Sequence, residues 1–348
     1  MSRLKSMRTV ITVAIAAVIA FLLPLFNIPG LGILPGPTWT PGSLQIMALA
    51  LLTAGLALSY HLLFGVAGLL SFGHALYFGM GVYGLAILLD QTDLGLIPAA
   101  LIVLAGGVVL THILGAISLR VGGIAFAMVT LAFAHAANVL VRRNPGRLTG
   151  GDEGLSLNTT NIPEGLVGVL NTRNLYWLAL VVMIFVYAVV AWIEHSRAGH
   201  VVAATRENET RVKVLGGNPF IVKFFTFVAA GVLAIIVGMA YLLLQSTASH
   251  TTTSADFTLT LLVMVVLGGV GSRWGAIVGA VIYTLLNQRL AALAGSQFIS
   301  DLPVVLRIPL SEPMFILGTL FILVVILMPG GISGAVADLR RRTRRVEA

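Results

Sequence analysis

The chain contains no cysteine and little charge: 10% of its 348 residues are Asp, Glu, Lys or Arg, against about a quarter in soluble domains. The missing cysteines exclude a disulfide framework, a thiolate metal site and a cysteine nucleophile. The scarcity of charge, with 58% hydrophobic residues and a mean hydropathy of +1.00, excludes an ordinary water-soluble fold. Lysine is scarcer still. Lys5, Lys213 and Lys223 are the only three, and none follows a glycine, so the phosphate-cradling G-x-x-x-x-G-K-[ST] loop is excluded. If ATP energises this chain, a separate subunit must hydrolyse it. Carboxylates are missing from the apolar runs, all thirteen falling in loops or at run ends. A carrier driven by protons or sodium commonly retains a buried Asp or Glu for its coupling ion. Ion coupling is therefore disfavoured, sodium held by unwound backbone carbonyls being the exception.

What is present is built for lipid. Ten apolar runs lie between polar breaks, at 10–26, 44–64, 66–89, 96–119, 121–141, 175–193, 221–244, 257–270, 274–288 and 314–328. They predict an all-α polytopic membrane bundle of about ten transmembrane helices. The eighth and ninth runs are short for a roughly 30 Å hydrocarbon layer, so a count of eight or nine is also compatible. The first run has the length of a span, and no small-residue cleavage site follows it at Asn27, Ile28, Pro29 and Gly30, so it is kept as a helix rather than a secretory signal.

Charge sets the expected orientation. Arg3, Lys5 and Arg8 cluster at one terminus, and Arg340, Arg341, Arg342, Arg344 and Arg345 at the other. With both termini cytoplasmic, those eight join Arg120, Arg197, Arg206, Arg211, Lys213, Lys223 and Arg273 inside, fifteen of the 21 basic residues, as positive-inside orientation predicts. The net charge of +8 then reads as topology and anionic lipid, not nucleic acid. The loops at 142–174, 194–220 and 289–313 are too short to build cores, which leaves one membrane domain over 1–348.

Loop 194–220 is the long inner one. Asn208 is placed to cap a two-turn helix starting at Glu209, with Gly216 or Gly217 as its stop and Pro219 beyond. Glu207 and Glu209 suit its positive end, while Val212 and Leu215 offer a small apolar side. So short a helix is marginal alone and suits a partner's groove. The plain alternative is a charged connecting loop.

The third run holds Gly73, Gly79, Gly81 and Gly84, and glycine weakens a water-exposed helix by about 1 kcal/mol relative to alanine. In a membrane such density implies close helix contact or a break. A break would free backbone groups able to bind a zwitterion. His74 lies there with Ser71, Phe72 and Tyr77. A lone intramembrane histidine more often bonds helix to helix than it binds a ligand, and no acid completes a triad with Ser71. His61, His112 and His135 lack the i, i+4 pairing that argues for a metal. In the loop that follows the fifth run, Thr149, Gly150 and Gly151 form a turn with N–H donors for a carboxylate or a gate. Gly271, Gly275 and Gly279 recur every four residues, which on a helix is one close-packing face.

Four segments in order, GLLSFGHALYFGMGVYG from Gly68, TGGDEG from Thr149, Arg206-Glu207-Asn208-Glu209 with Leu215-Gly216, and GGVGSRWGA from Gly268, resemble those of the branched-chain amino-acid permease family of ABC importers. Urea and short-amide permeases share them. Leu76 and Tyr77 depart from the small or Phe residues usual there, and Ala234-Ile235-Ile236-Val237-Gly238 is bulkier than the usual pattern. The resemblance implies a transport subunit with no ATPase site or cofactor of its own, moving branched-chain amino acids by alternating access. It implies a homologous permease as heterodimer partner, two ATP-binding subunits carrying ATP and magnesium, a soluble substrate-binding protein, and a bacterial-type inner membrane. Arg206, Glu207, Asn208, Glu209, Leu215 and Gly216 fall in its ATPase-coupling motif. An autonomous secondary transporter and a membrane enzyme are the other classes, and no constellation of nucleophile, base and acid supports the latter.

Overall fold

The structure is a computed structural model that describes residues 15–30, 34–294, 312–328 and 330–335. The helices are α1 (Ile15–Leu25), α2 (Pro41–His61), α3 (His74–Gln91), α4 (Leu96–Ser118), α5 (Ile124–Arg143), α6 (Thr172–His195), α7 (Arg197–Glu207), α8 (Glu209–Val214), α9 (Pro219–Gln245), α10 (Ala255–Gly268), α11 (Arg273–Ala294) and α12 (Pro313–Leu327). Among the described residues the only strands are β1 (Leu155–Ser156) and β2 (Thr247–Ala248), paired antiparallel. The protein is an all-helical membrane bundle.

Two helices form its centre. Over their most apolar 18-residue stretches α2 and α9 are 78% and 72% buried, whereas α4, α5 and α6 are 22%, 28% and 33% buried. A helix apolar on every side belongs inside other helices or in lipid, and here both cases occur. The outer helices present Ile97, Leu101, Ile124 and Trp192 outward.

Close approach at the centre depends on missing side chains. Ile235 of α9 lies against Gly81 of α3 and Gly107 of α4; a Cβ on Gly81 would overlap the Ile235 carbonyl, and one on Gly107 the Ile235 side chain. The bulk of the Ile235 side chain is thus matched by space at Gly107, and its backbone is approached closely at Gly81. Gly275 and Gly279 of α11 lie on α10 in the same way, against the backbone of Gly268 and Met264. Gly271 differs from the expected packing face: it lies before α11 begins, in the turn between α10 and α11, with φ +92° and open space where a Cβ would stand. The four-residue period is interrupted because the turn consumes Gly271.

Among the described residues five helices are long and apolar enough to cross a membrane: α2 with its extension to Val66, α4, α5, α6 with the turn before it, and α9. α10 and α11 meet at a bend of 119° and would add a sixth if they are one span. The expected ten is therefore not reached among the described residues by length and composition. Residues 10–14 of the first run lie outside the described residues, α10 and the described part of α12 are short, and the third run is helical only from His74, because the chain leaves the helix after the π turn Leu62–Val66.

The helix ends gather at two poles. At one, Glu194 at the end of α6 bonds His61 at the end of α2 and Arg273 at the start of α11, and α7 and α8 pack beside them. The turn at Gly331 packs on Gly269 at this pole, and α1 starts toward it, Ala16 and Ala17 sharing an apolar groove with Tyr187 and Trp274. At the other, Gln45 bonds Gln245 and Tyr83 bonds the Ala248 carbonyl.

Replacing Gly81 by alanine drives a Cβ into backbone that cannot rotate aside. The expected cost is about 1–3 kcal/mol, read as a lower thermal midpoint in detergent, while Gly122→Ala, with nothing within 4 Å of its Cβ position, leaves the midpoint unchanged.

Candidate functional site

Between the π turn and α3, residues 67–73 are not helical. Gly68 opens this break with φ +68°, the left-handed region where glycine alone is unstrained. His74, wholly buried, is the first residue of α3. Its Nε2 lies 2.8 Å from the Ser59 hydroxyl of α2, and its ring packs edge-on against Tyr60 and Tyr77. Its Nδ1 has no hydrogen-bond partner.

The backbone groups released by the break are taken up by side chains. The Tyr60 hydroxyl donates to the Ser71 carbonyl at 3.0 Å. Phe72 N–H donates to Thr130 Oγ1 of α5 at 3.1 Å, and Ala75 N–H to Thr258 Oγ1 of α10 at 3.0 Å. Gly73 N–H reaches the Ser71 hydroxyl at 3.3 Å. In this conformation these four backbone groups are bonded within the protein, and four helices meet around the break. Ser59, Tyr60, Thr130 and Thr258 do not stand out in the sequence. Their one signal is that a hydroxyl inside an apolar run needs a partner.

The loop between α6 and α9 is more ordered than a charged connector. Ser196 caps α7 by accepting from Gly199 N–H, and Asn208 caps α8 by accepting from Arg211 N–H at 2.9 Å. Gly216, at φ +81°, ends α8: its N–H donates to the Lys213 carbonyl and that of Gly217 to Val212, the pattern of a glycine-stopped helix. Pro219 then opens α9, with Asn218 as cap. The apolar side of α8 differs from expectation in one residue. Val212 is buried toward Gly217, while Val214 and Leu215 are each 81% exposed, because α8 lays its Val212 side on the start of α9. Glu209 binds Lys213 at 3.1 Å and Lys223 of α9 at 2.6 Å. Glu207 is exposed. Arg206 turns the other way and donates to the Gly65 carbonyl in the π turn.

Beside this loop lies a charged cluster that sequence reading leaves unconnected. Glu194 is held by His61 Nε2 at 3.0 Å and Arg273 Nε at 2.9 Å, all three little exposed, and Arg273 also covers the Tyr187 ring. Its signal in the sequence is three polar residues, each at the end of a different apolar run.

Thr149, Gly150 and Gly151 lie at the opposite pole, apart from the break. The N–H groups of Thr149 and Gly150 converge on Asn144 Oδ1 at 2.9 and 3.1 Å, so in this structure the donors expected to serve a carboxylate or a gate bind an amide oxygen of their own chain. Arg142 pairs with Asp152 at 2.7 Å across the turn, and β1 of the same loop is tied to β2 after α9.

The family described as branched-chain amino acid transport system / permease component matches residues 42–327. The chain is 26% identical over 273 residues to the high-affinity branched-chain amino acid transport system permease proteins LivM of Salmonella typhimurium and of Escherichia coli, covering 71% of this chain and 63% of each of theirs. It is 25% identical over 331 residues to a probable branched-chain amino acid transport permease protein LivM of Methanocaldococcus jannaschii, covering 83% of this chain and 94% of that one. The chain thus spans less than two thirds of the two bacterial relatives. With the family matched from α2 through α12, the chain belongs to the branched-chain amino acid transport system permease components.

Proposed function

We propose that the chain is the membrane-spanning subunit of an importer that takes up branched-chain amino acids by alternating access, driven by ATP hydrolysed in two separate subunits, one of which seats on α7 and α8. The observation that carries this reading is the form of α8: capped at Asn208, stopped at Gly216, tied to α9 through Glu209, and presenting Val214 and Leu215 to solvent. An isolated helix of six residues is not stable, so a structured short helix with two exposed aliphatic tips fits a joint for another protein.

The ten-span topology with both termini cytoplasmic belongs to the same proposal. Its support is that the start of α1, the α7–α8 loop and the turn at Gly331 lie at one pole with Arg120, Arg197, Arg206, Arg211, Lys213, Lys223 and Arg273. A homologous permease completes the pore as a heterodimer, a soluble binding protein delivers solute at the Thr149 pole, and the membrane is the bacterial-type inner membrane. Uptake of urea or a short amide in place of leucine by the reconstituted assembly would assign the chain to the other permeases that share its motifs.

Two outcomes follow. Gly216→Pro forces φ to about −65° where the chain needs a positive angle and removes the bond to Lys213; Glu209→Arg removes both ion pairs. Each should abolish ATP-driven leucine uptake in proteoliposomes with the protein still inserted, and wild-type uptake in both would remove the coupling role.

The second concerns pH. The Lys223 ammonium holds the Glu209 carboxyl below its ordinary value of 4.5, helped by Lys213 against partial burial. A carboxyl depressed in the folded state stabilises it fully above the unfolded value and loses that contribution as pH falls through the folded one. Amide exchange in 208–217, corrected for intrinsic rates, should therefore accelerate between about pH 5 and pH 3, and Glu209→Gln should remove that step.

A further inference from the structure

Arg206 lies in the last turn of α7, within the segment that resembles an ATPase-coupling motif, yet its guanidinium faces the bundle. It donates to the Gly65 carbonyl, one of those left without a helical partner where α2 widens into its π turn. Its stem covers Gly68, where a Cβ would stand 2.7 Å from Arg206 Cγ. Gly65 is also hemmed in from its own helix, since a Cβ there would overlap the His61 ring. His61 in turn is held by Glu194, so the α2 side of this contact is anchored. The Gly68 side is the start of the break that ends at His74. Arg206 is itself partly open to water, as are Glu207, Val214 and Leu215; what sets it apart is its bond to the Gly65 carbonyl and its stem over Gly68.

We propose that Arg206 is a positioning residue, which carries movement of α7 and α8 into the break between α2 and α3 by gripping the Gly65 carbonyl and covering Gly68. This rests on the importer reading and deepens it, by naming the contact through which closure of the ATPase subunits reaches the helix that seats His74. A donor-only guanidinium suits the task because a charge-assisted bond to a carbonyl holds under load better than a neutral one. The break can respond because Ser71, Phe72 and Ala75 are held by side-chain bonds from three other helices, each exchangeable for another partner, and not by a continuous helical ladder.

The absence of cysteine permits a direct test. Leu70→Cys, within the break and partly exposed, is assembled with the permease partner and the ATPase subunits. Its labelling by a thiol reagent is read on the separated chain, without nucleotide and with ATP and vanadate. With Arg206 present the labelling rate should differ between the two states. Arg206→Gln should reduce that difference about tenfold, the change that one charge-assisted hydrogen bond carries. Arg206→Lys, which keeps a charged donor, should restore most of it. Arg206→Met retains the stem and lacks the donor; it should behave as the glutamine variant and serves if that variant does not fold. ATPase subunits should co-purify with every variant. State-dependent labelling undiminished by Arg206→Gln and Arg206→Met, with wild-type uptake intact, would overturn this inference alone, as would loss of the ATPase subunits from those variants. A wild-type assembly that hydrolyses ATP without uptake would overturn the importer reading and this inference with it.

Discussion

A backbone N–H or C=O shut away from water needs a partner inside the protein, and each one left alone costs several kcal/mol; the organisation of this bundle follows from meeting that demand at the break between α2 and α3. The buried groups among the seven residues outside the helical ladder depend on partners brought from elsewhere in the chain. Tyr60 from α2, Thr130 from α5 and Thr258 from α10 take the Ser71, Phe72 and Ala75 groups, and Arg206 from α7 takes Gly65. The break is therefore also the point where elements far apart in the chain are tied together. The cost of interrupting a helix becomes a reason for several others to converge on it.

Convergence of this kind requires short distances between helix axes. Glycines supply them on α3, α4 and α11; at Ile235 of α9, Gly81 admits the backbone carbonyl and Gly107 the side chain. Packed interiors respond to displacement by switching between discrete arrangements rather than deforming smoothly. A push delivered at the α8 pole would, on the proposed reading, be carried by rigid helices to their common junction. The Glu194 cluster fixes α2, α6 and α11 to one another at that pole, so α7 and α8 are the parts left to move against them.

How far the sequence disclosed this depends on the range of each interaction. The cap at Asn208 and a glycine stop at Gly216 or Gly217 were legible because each acts within four residues; that Pro219 opens α9 was not read, the apolar run there starting only at 221. Glycine density in the third run indicated either crowding or a break, and both are present: crowding at Gly79, Gly81 and Gly84, a break at Gly68 to Gly73. Which side of α8 faces outward was misread at Val212, since that depends on how α9 leaves the loop. The partners of the break were not legible at all: Phe72 and Thr130 are 58 residues apart, and Ala75 and Thr258 are 183 apart. Run length overstated the regularity of the spans, because hydropathy registers apolar content and is blind to the turn at Gly271 and the unwound segment before His74.

The central claim is that α7 and α8 face the cytoplasm as a seat for an outside motor. Sidedness tests it most directly. In a chain without other cysteines, Leu215→Cys places a thiol on an exposed tip. The account predicts no reaction with a membrane-impermeant maleimide added to intact cells and full reaction once the membrane is permeabilised and the ATPase subunits are removed. Full labelling in intact cells would place α8 outside and contradict the account.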